Sequence, residues 1–388
     1  MSAVPCPQVR LVAERLSPHP WLYRRALHSE TPLKPGTVVD LVDDRGAFLA
    51  RGFWNGHARI GLRVLTRDRA EAIDGDWIAR RIAAAAALRR DRLHLDAAGD
   101  AWRVVHSEGD GLSGLVIDRY ADLLVVEYFA AGMWRLRHAI DAALRTLFPG
   151  CRLYGYAETH VQKQESFDCT APPAPEPVLV REHGLRFRVT PGSRHKTGFF
   201  IDQRDNRQRF GGLVRGARVL DLCCNSGGFA LAAAAGGAAA VTGVDLDPGI
   251  LELARANAAL NGLDVRFEAA DLFPWLEAAR ARGERWDAVV LDPAKLTRDR
   301  ERLPQALRTY QAMNRLALEV VAPGGLLLTC SCTGLVDEPT FLDTLRRAAF
   351  AAGRELTVLQ VGGAGPDHPF QLQVPESRYL KAVLAVVR

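Results

Sequence analysis

"RVLDLCCNSGGFALAAAAGGAAAVTGVDLD", residues 218–247, decides the fold. A strand-length run from Arg218 to Cys224 carries Asp221 near its end and turns through Asn225, Ser226, Gly227 and Gly228 into an alanine-rich helix starting near Phe229. A second run, Ala240 to Asp245, closes on another carboxylate. Strand, glycine turn, helix and strand in that order predict a βαβ unit with parallel strands. The small residues of the turn let a ligand approach the backbone at the carboxyl end of a strand, where such sheets bind ligands.

The same rhythm continues downstream. Strand-like runs at Val265 to Ala269, Ala288 to Leu291 and Leu326 to Cys330 are separated by helix-length segments. The last two runs, "ELTVLQV" and "RYLKAVLAVV", are joined only by a loop containing Gly362, Gly363, Pro366 and Pro369, so they should pair antiparallel. The expectation is an α/β fold, a Rossmann-like seven-stranded sheet with its last strand antiparallel. Upstream, "VLVREHGLRFRVT" reads as a hairpin turning at His183 and Gly184, and "APPAPEP", 171–177, as a linker. Arg10 to Arg67 alternates apolar and polar residues between turn signals and predicts a small β-rich domain. Asp74 to Arg92 has a helical stripe of Ile78, Ile82, Ala85 and Leu88, with its arginines elsewhere. A strand at Asp122 to Phe129 and a helix at Trp134 to Leu147 make the middle α+β. Domain limits are therefore placed at 1–74, 75–175 and 176–388.

With 388 residues, 48% of them hydrophobic and 24% charged, the chain has globular composition and the length for two or three domains, not a disordered or fibrous one. No run of 18 uncharged apolar residues offers a membrane span, and Met1 to Pro20 has no signal-peptide core. A cytoplasmic protein with seven reduced cysteines is expected. The net charge of +5 is carried mostly by arginine, which suits bidentate contact with phosphate, although a GC-rich genome produces the same excess.

Three successive strand ends carry Asp221, Asp245 and Asp271. Any one of them could merely cap a helix. Together they suit a cofactor with ribose hydroxyls, an adenine edge and positive charge, which is S-adenosylmethionine rather than NAD. A dinucleotide site wants GxGxxG to seat a diphosphate on a helix N-terminus, and this chain lacks it. Strand four ends "VVLDPAK", giving Asp292, and strand five "LLLTCSCT", giving Cys330 and Cys332. C5 of a pyrimidine is unreactive until a thiolate adds to C6, so a cysteine here has a chemical reason to exist, with Asp292 placed to hold the base. Buried core thiols are the alternative. Adjacent and i, i+2 cysteines do not match zinc spacing, so no metal is expected.

The order of "HKTGFFIDQRDNR" (195–207), "VLDLCCNSGGFAL", "LDPAK", "SCTGL", "DHP" and "PESRYLK" resembles bacterial class I methyltransferases of 23S ribosomal RNA, of the cytosine-5 type with an N-terminal PUA domain. "PHPWLYRRAL" and "GAFLARGFWN" are similar to the start of that PUA domain, and "SEGDGLSGLVIDRY" to the family's middle domain. The resemblance covers essentially the whole chain. It implies that Lys196, Thr197, Gly198, Phe199 and Phe200 close over S-adenosylmethionine, with Gln203 and Arg204 following. It places Asp221, Asn225 and Gly227 on the loop under the methionine part, Asp245 on the ribose, Asp271 on the adenine, Asp292 at strand four and Cys332 as nucleophile. Two departures are Ala294, where relatives commonly carry a second proline, and the extra thiol of Cys330. The implied partner is RNA, either 23S rRNA or a partly assembled large subunit. Arg51, Trp54, Asn55, His57 and Arg59 are the candidate contacts, and His368 is expected near the sheet edge in a structural role. Methylation of a ring nitrogen, or a non-catalytic assembly factor, stays open, as does a homodimer.

Overall fold

The computed structural model describes residues 6–192 and 197–388. The chain forms two compact units. The first takes in residues 1–178, 189–199 and 366–377, and the second residues 179–188, 200–365 and 378–388.

The second unit contains the βα alternation read from the sequence. Its strands are β1 (Arg218–Leu222), β2 (Ala240–Asp245), β3 (Arg266–Ala269), β4 (Trp286–Leu291), β5 (Val321–Ser331), β6 (Leu356–Gly362) and β7 (Lys381–Val387). They lie in the order 3-2-1-4-5-7-6, parallel except for β7, which runs antiparallel to both neighbours. The expected seven strands and the reversed last strand are both present. Helices α1 (Arg204–Gly211), α2 (Gly228–Ala235), α3 (Pro248–Leu260), α4 (Leu272–Ala281), α5 (Leu303–Val320) and α6 (Glu338–Ala351) accompany them. The starts of α3, α4 and α6 are set by Asp247, Asp271 and Asp337, each accepting from a backbone N–H in the first turn. Central strands covered on both faces must be apolar throughout, and Leu220, Leu222, Val289, Leu291 and Leu327 are all fully buried in one core. The hairpin of Val178–Glu182 and Leu185–Val189 turns through His183 and Gly184, both with positive φ.

The first unit holds a six-stranded sheet within residues 8–66 and a four-stranded sheet within 101–156, the latter packed with helices Gly75–Ala87 and Arg137–Leu147. Two readings are corrected here. Leu88 is not on the buried stripe but 37% exposed, while Arg89 is fully buried. The α-helix gives way at Leu88 to one wider π turn ending at Arg92, which shifts the face by a residue and brings the arginine inward. The guanidinium is matched there by Asp110 at 2.6 and 2.8 Å and by the Asp367 carbonyl at 2.7 Å. His368 is likewise not at the edge of the seven-stranded sheet. It lies in the first unit, buried against His106 with ring centroids 5.0 Å apart and its Nδ1 3.1 Å from Asp367. Burial and the nearby Arg103, His368 and Arg89 push the His106 pKa well down, so this imidazole stays neutral.

Candidate functional site

The carboxyl ends of β1 to β5 share one edge of the sheet, and Asp221, Asn225, Gly227, Asp245, Asp271, Asp292 and Cys332 lie on or just past those ends. Register places Asp221 opposite Gly243 of β2 and Val290 of β4, at the point where strand order reverses. Asp221 is fully buried; one oxygen accepts from Ala230 N at 2.9 Å and the other has no hydrogen-bond partner among the described residues. Burial and the neighbouring Asp292 and Asp245 raise its pKa well above the usual carboxylate range.

After β1 the backbone is forced. Cys223, Asn225 and Gly227 take φ of 60°, 48° and 84°, a left-handed conformation that non-glycine residues hold only when their surroundings demand it. Asp245 supplies part of that demand, its two oxygens accepting from Asn225 N at 2.8 Å and Asp247 N at 3.1 Å. Buried Asn257 supplies more, donating to the Ser226 carbonyl at 3.1 Å while accepting from Arg188 N of the hairpin at 2.8 Å. At Gly227 the left-handed φ disfavours any side chain, and a Cβ there would press Leu231 at 2.9 Å and Phe267 at 3.2 Å. Asp271 is exposed and caps α4 through Phe273 N at 2.9 Å, which is the bland role allowed for it.

The four acids act on one place. Burial first, then Asp245, Asp292, Asp221 and Asp271 in turn, push the Cys223 thiol strongly upward. Four carboxylates near one thiol, with one buried Asp221 oxygen lacking a partner among the described residues, suit a ligand bearing cationic and hydrogen-bond-donating groups, as the sulfonium, amino group and ribose of S-adenosylmethionine are.

At strands four and five, Leu291 pairs with Thr329, so Asp292 and Cys330 lie one step further along adjacent strands. Cys330 is fully buried, and burial with Asp292 holds its thiol well above the usual value. Cys332 lies beyond the end of β5, is partly exposed, and has its Sγ 3.8 Å from the Pro293 carbonyl. Of the two thiols, only Cys332 can meet a substrate without opening the core. Asp292 accepts from Gln203 Nε2 at 3.0 Å; Gln203 Oε1 accepts from Asn206 Nδ2 at 2.6 Å, and that amide also donates to the Gly363 carbonyl at 3.0 Å. Tyr310, pushed up to about 12 by burial, has its hydroxyl 2.9 Å from Thr333 Oγ1.

Lys196 lies outside the described residues. Phe199 is buried and belongs to the first unit, where its carbonyl accepts from Tyr120 at 3.4 Å and Thr197 bonds both Asp118 and Tyr120. Among the proposed RNA contacts the structure is selective. Arg51 is spent on Asp40 at 2.6 Å, Trp54 is buried, and buried Asn55 bonds Glu165 and the His57 and Ala58 N–H groups. His57 and Arg59 remain exposed, with Arg59 5.4 Å from the ring of exposed Tyr23.

Glu182 and Lys381 were not legible as parts of this region. Glu182 pairs with Arg207 of α1 through contacts of 2.7 and 2.5 Å, both side chains buried. Arg207 also donates to the Phe200 carbonyl at 2.9 Å, which ties the start of this unit to the helix behind the glycine turn. Removing one partner of a buried pair costs about 3–5 kcal/mol. Glu182→Ala should therefore lose that much hydrogen-exchange protection over the hairpin and α1, and unchanged protection there would refute the assignment. The signal for Lys381 was a lone lysine opening an otherwise apolar strand.

Comparisons with known proteins identify the family, the fold and the cofactor. A family model described as S-adenosylmethionine-dependent methyltransferase matches residues 169–359, and one described as PUA-like domain matches residues 13–67. Ribosomal RNA large subunit methyltransferase I of Aeromonas hydrophila is 39% identical over 381 residues, covering 95% of this chain and 96% of its own. Its namesake in Shewanella denitrificans is 38% identical, covering 95% of both. The crystal structure of SMU.776 complexed with SAH superposes with a TM-score of 0.83 over 99% of this chain and 100% of that one at 23% identity, which speaks for the fold. No helix among the described residues is long and apolar enough to cross a membrane. The chain belongs to the ribosomal RNA large subunit methyltransferase I family, as an S-adenosylmethionine-dependent methyltransferase with a PUA-like N-terminal domain.

Proposed function

We propose that the protein methylates C5 of a cytosine in 23S ribosomal RNA through a transient bond from Cys332 to C6. The observation that carries this reading is partly exposed Cys332 just past the end of β5, its Sγ 3.8 Å from the carbonyl of Pro293, the residue that follows Asp292 beyond the adjacent strand. When bound, S-adenosylmethionine supplies a methyl group on a positively charged sulfur. Asp221, Asn225 and Gly227 hold its methionine part, Asp245 the ribose hydroxyls, and the second oxygen of Asp271 the adenine amino group. Lys196 and Phe199 belong to the segment assigned to close the site.

The target base leaves its stack, because C5 and C6 are not both accessible inside a helix. The Cys332 thiolate forms the C6–S bond and pushes the electron pair of the C5–C6 double bond onto C5, which takes the methyl group as the S–CH3 bond breaks and its pair stays on the sulfur as a neutral thioether. A base then accepts the C5 proton, the pair returns to the double bond and the thiolate is expelled. Asp292, oriented by Gln203, holds the N3 and amino edge of the cytosine and stabilises the protonated ring of the adduct. Residues 1–74 bind RNA through the exposed face carrying Tyr23, His57 and Arg59, residues 75–175 form the middle domain, and residues 176–388 hold the chemistry, in a cytoplasmic protein.

Nucleoside analysis of large-subunit RNA from cells with and without the protein tests this directly. The expected difference is one 5-methylcytidine. A difference in an N-methylated or ribose-methylated nucleoside would assign the thiols to structure, and none at all, with no S-adenosylmethionine binding in a titration, would favour an assembly factor.

A further inference from the structure

β7 is apolar from Ala382 to Val387 and begins on a lysine. In its register with β5, Lys381 pairs with Ser331, the residue before Cys332. The side chain is only 2% exposed. Its ammonium donates to the Thr333 carbonyl at 2.9 Å and to the Tyr379 carbonyl at 2.7 Å. Among the described residues it forms no ion pair with a carboxylate. An ammonium has three N–H donors, so these two bonds leave one for another acceptor.

A buried charge held only by neutral carbonyls is costly, and an uncharged donor would serve those carbonyls as well. The cost needs a reason, and the charges around the ammonium supply one. Burial pushes its pKa down to about 8, and the groups that pull it back are Cys332 and Asp337, while Lys295 and Arg378 press it further down. Cys332 is thus the largest stabiliser of the ammonium. The interaction is mutual, so the ammonium favours the thiolate by the same amount that the thiolate favours the ammonium. Asp292 opposes a second negative charge at this strand end, so a cation held there assists the thiolate; Lys295 and Arg378 are the other cations that act on the ammonium.

We propose that Lys381 is a positioning residue that keeps Cys332 in its thiolate form, held in place for that task by the Thr333 and Tyr379 carbonyls. The thiol proton passes to solvent before the base arrives, and the same ammonium stabilises the sulfur when the C6–S bond breaks and the thiolate leaves. The role rests on Cys332 as the nucleophile.

Alkylation of the full-length protein with iodoacetamide across pH 6 to about 9.5, reading the Cys332 peptide by mass spectrometry, measures the thiol without any methyl transfer. The wild-type midpoint is expected below the free-thiol value of about 8.5. It should rise by about one pH unit or more in Lys381→Met and stay low in Lys381→Arg, which keeps the charge. The methionine variant should also regain methylation rate as pH rises, a response that a purely structural role would not give. A wild-type midpoint at or above about 8.5, an unmoved midpoint in Lys381→Met, or an arginine variant as high as the methionine one would overturn the proposal. If the methionine variant does not fold, the wild-type and arginine midpoints decide. An active Cys332→Ala enzyme would overturn the covalent reading whatever the alkylation shows, whereas an unmoved midpoint beside an inactive Cys332→Ala enzyme would overturn the lysine alone.

Discussion

Cys332→Ala is expected to abolish methyl transfer, with kcat falling by at least about four orders of magnitude, the scale on which deletion of an activated nucleophile acts. Without the thiolate, C5 has no route to the electron pair it must offer the methyl group, and nothing else at the strand end replaces it. Cys330 is two residues away but fully buried, with Asp292 opposing its ionisation, so it is not a spare nucleophile. Cofactor affinity should stay within a few fold, because the acids assigned to S-adenosylmethionine lie on β1, on β2 and at the cap of α4 after β3, and β4 separates these strands from β5 in the sheet. Two measurements check this, single-turnover methylation of RNA and calorimetric titration with S-adenosylmethionine. Full turnover in the variant would eliminate the covalent route.

Asp292→Ala should lower kcat by about two to four orders of magnitude, the range typical of a group that moves or holds a proton in the transition state. The carboxylate is held by Gln203, which is held in turn by Asn206 and, through it, by the loop at Gly363. A residue anchored through two side chains is costly to arrange and is set up to act in one orientation. Asp292→Asn separates charge from shape, since the amide can still accept from Gln203. The charge-dependent role expects the asparagine variant to be nearly as slow as the alanine one. A variant that binds S-adenosylmethionine tenfold more weakly yet turns over normally when saturated would move Asp292 from the base to the cofactor.

The second unit was readable because its information is local. Apolar runs, glycine turns and helix-capping aspartates repeat at fixed intervals, and each strand end of a parallel sheet lies on the same edge, so Asp221, Asp245, Asp292 and Cys332 could be grouped from spacing alone. What stayed hidden depends on distant pairing. Arg89 reads as a solvated arginine until the π turn and Asp110 are known. His368 reads as a loop residue of the sheet until Asp367 is seen bonded to Arg103 N at 2.9 Å, some 264 positions away. Arg51, Trp54 and Asn55 looked like a contact surface because a β-hairpin with arginine and aromatic residues resembles one, and only tertiary packing shows which side chains are already spent. Lys381 was quoted within a motif, but its burial follows from pairing with Ser331 of β5, 50 positions earlier in the chain.

The path of the chain carries a genetic consequence. Residues 189–199 and 366–377 leave the second unit and are bonded in the first, where Thr197 meets Asp118 and the Asp367 carbonyl meets Arg89. A single cut near the proline-rich stretch would strand both segments on a fragment lacking their partners, with one guanidinium N–H of Arg89 and the peptide N–H of Arg103 losing their acceptors in the other. Recombination that exchanges one half of the gene would have to replace these returning segments as well, so the two halves are constrained to be inherited together.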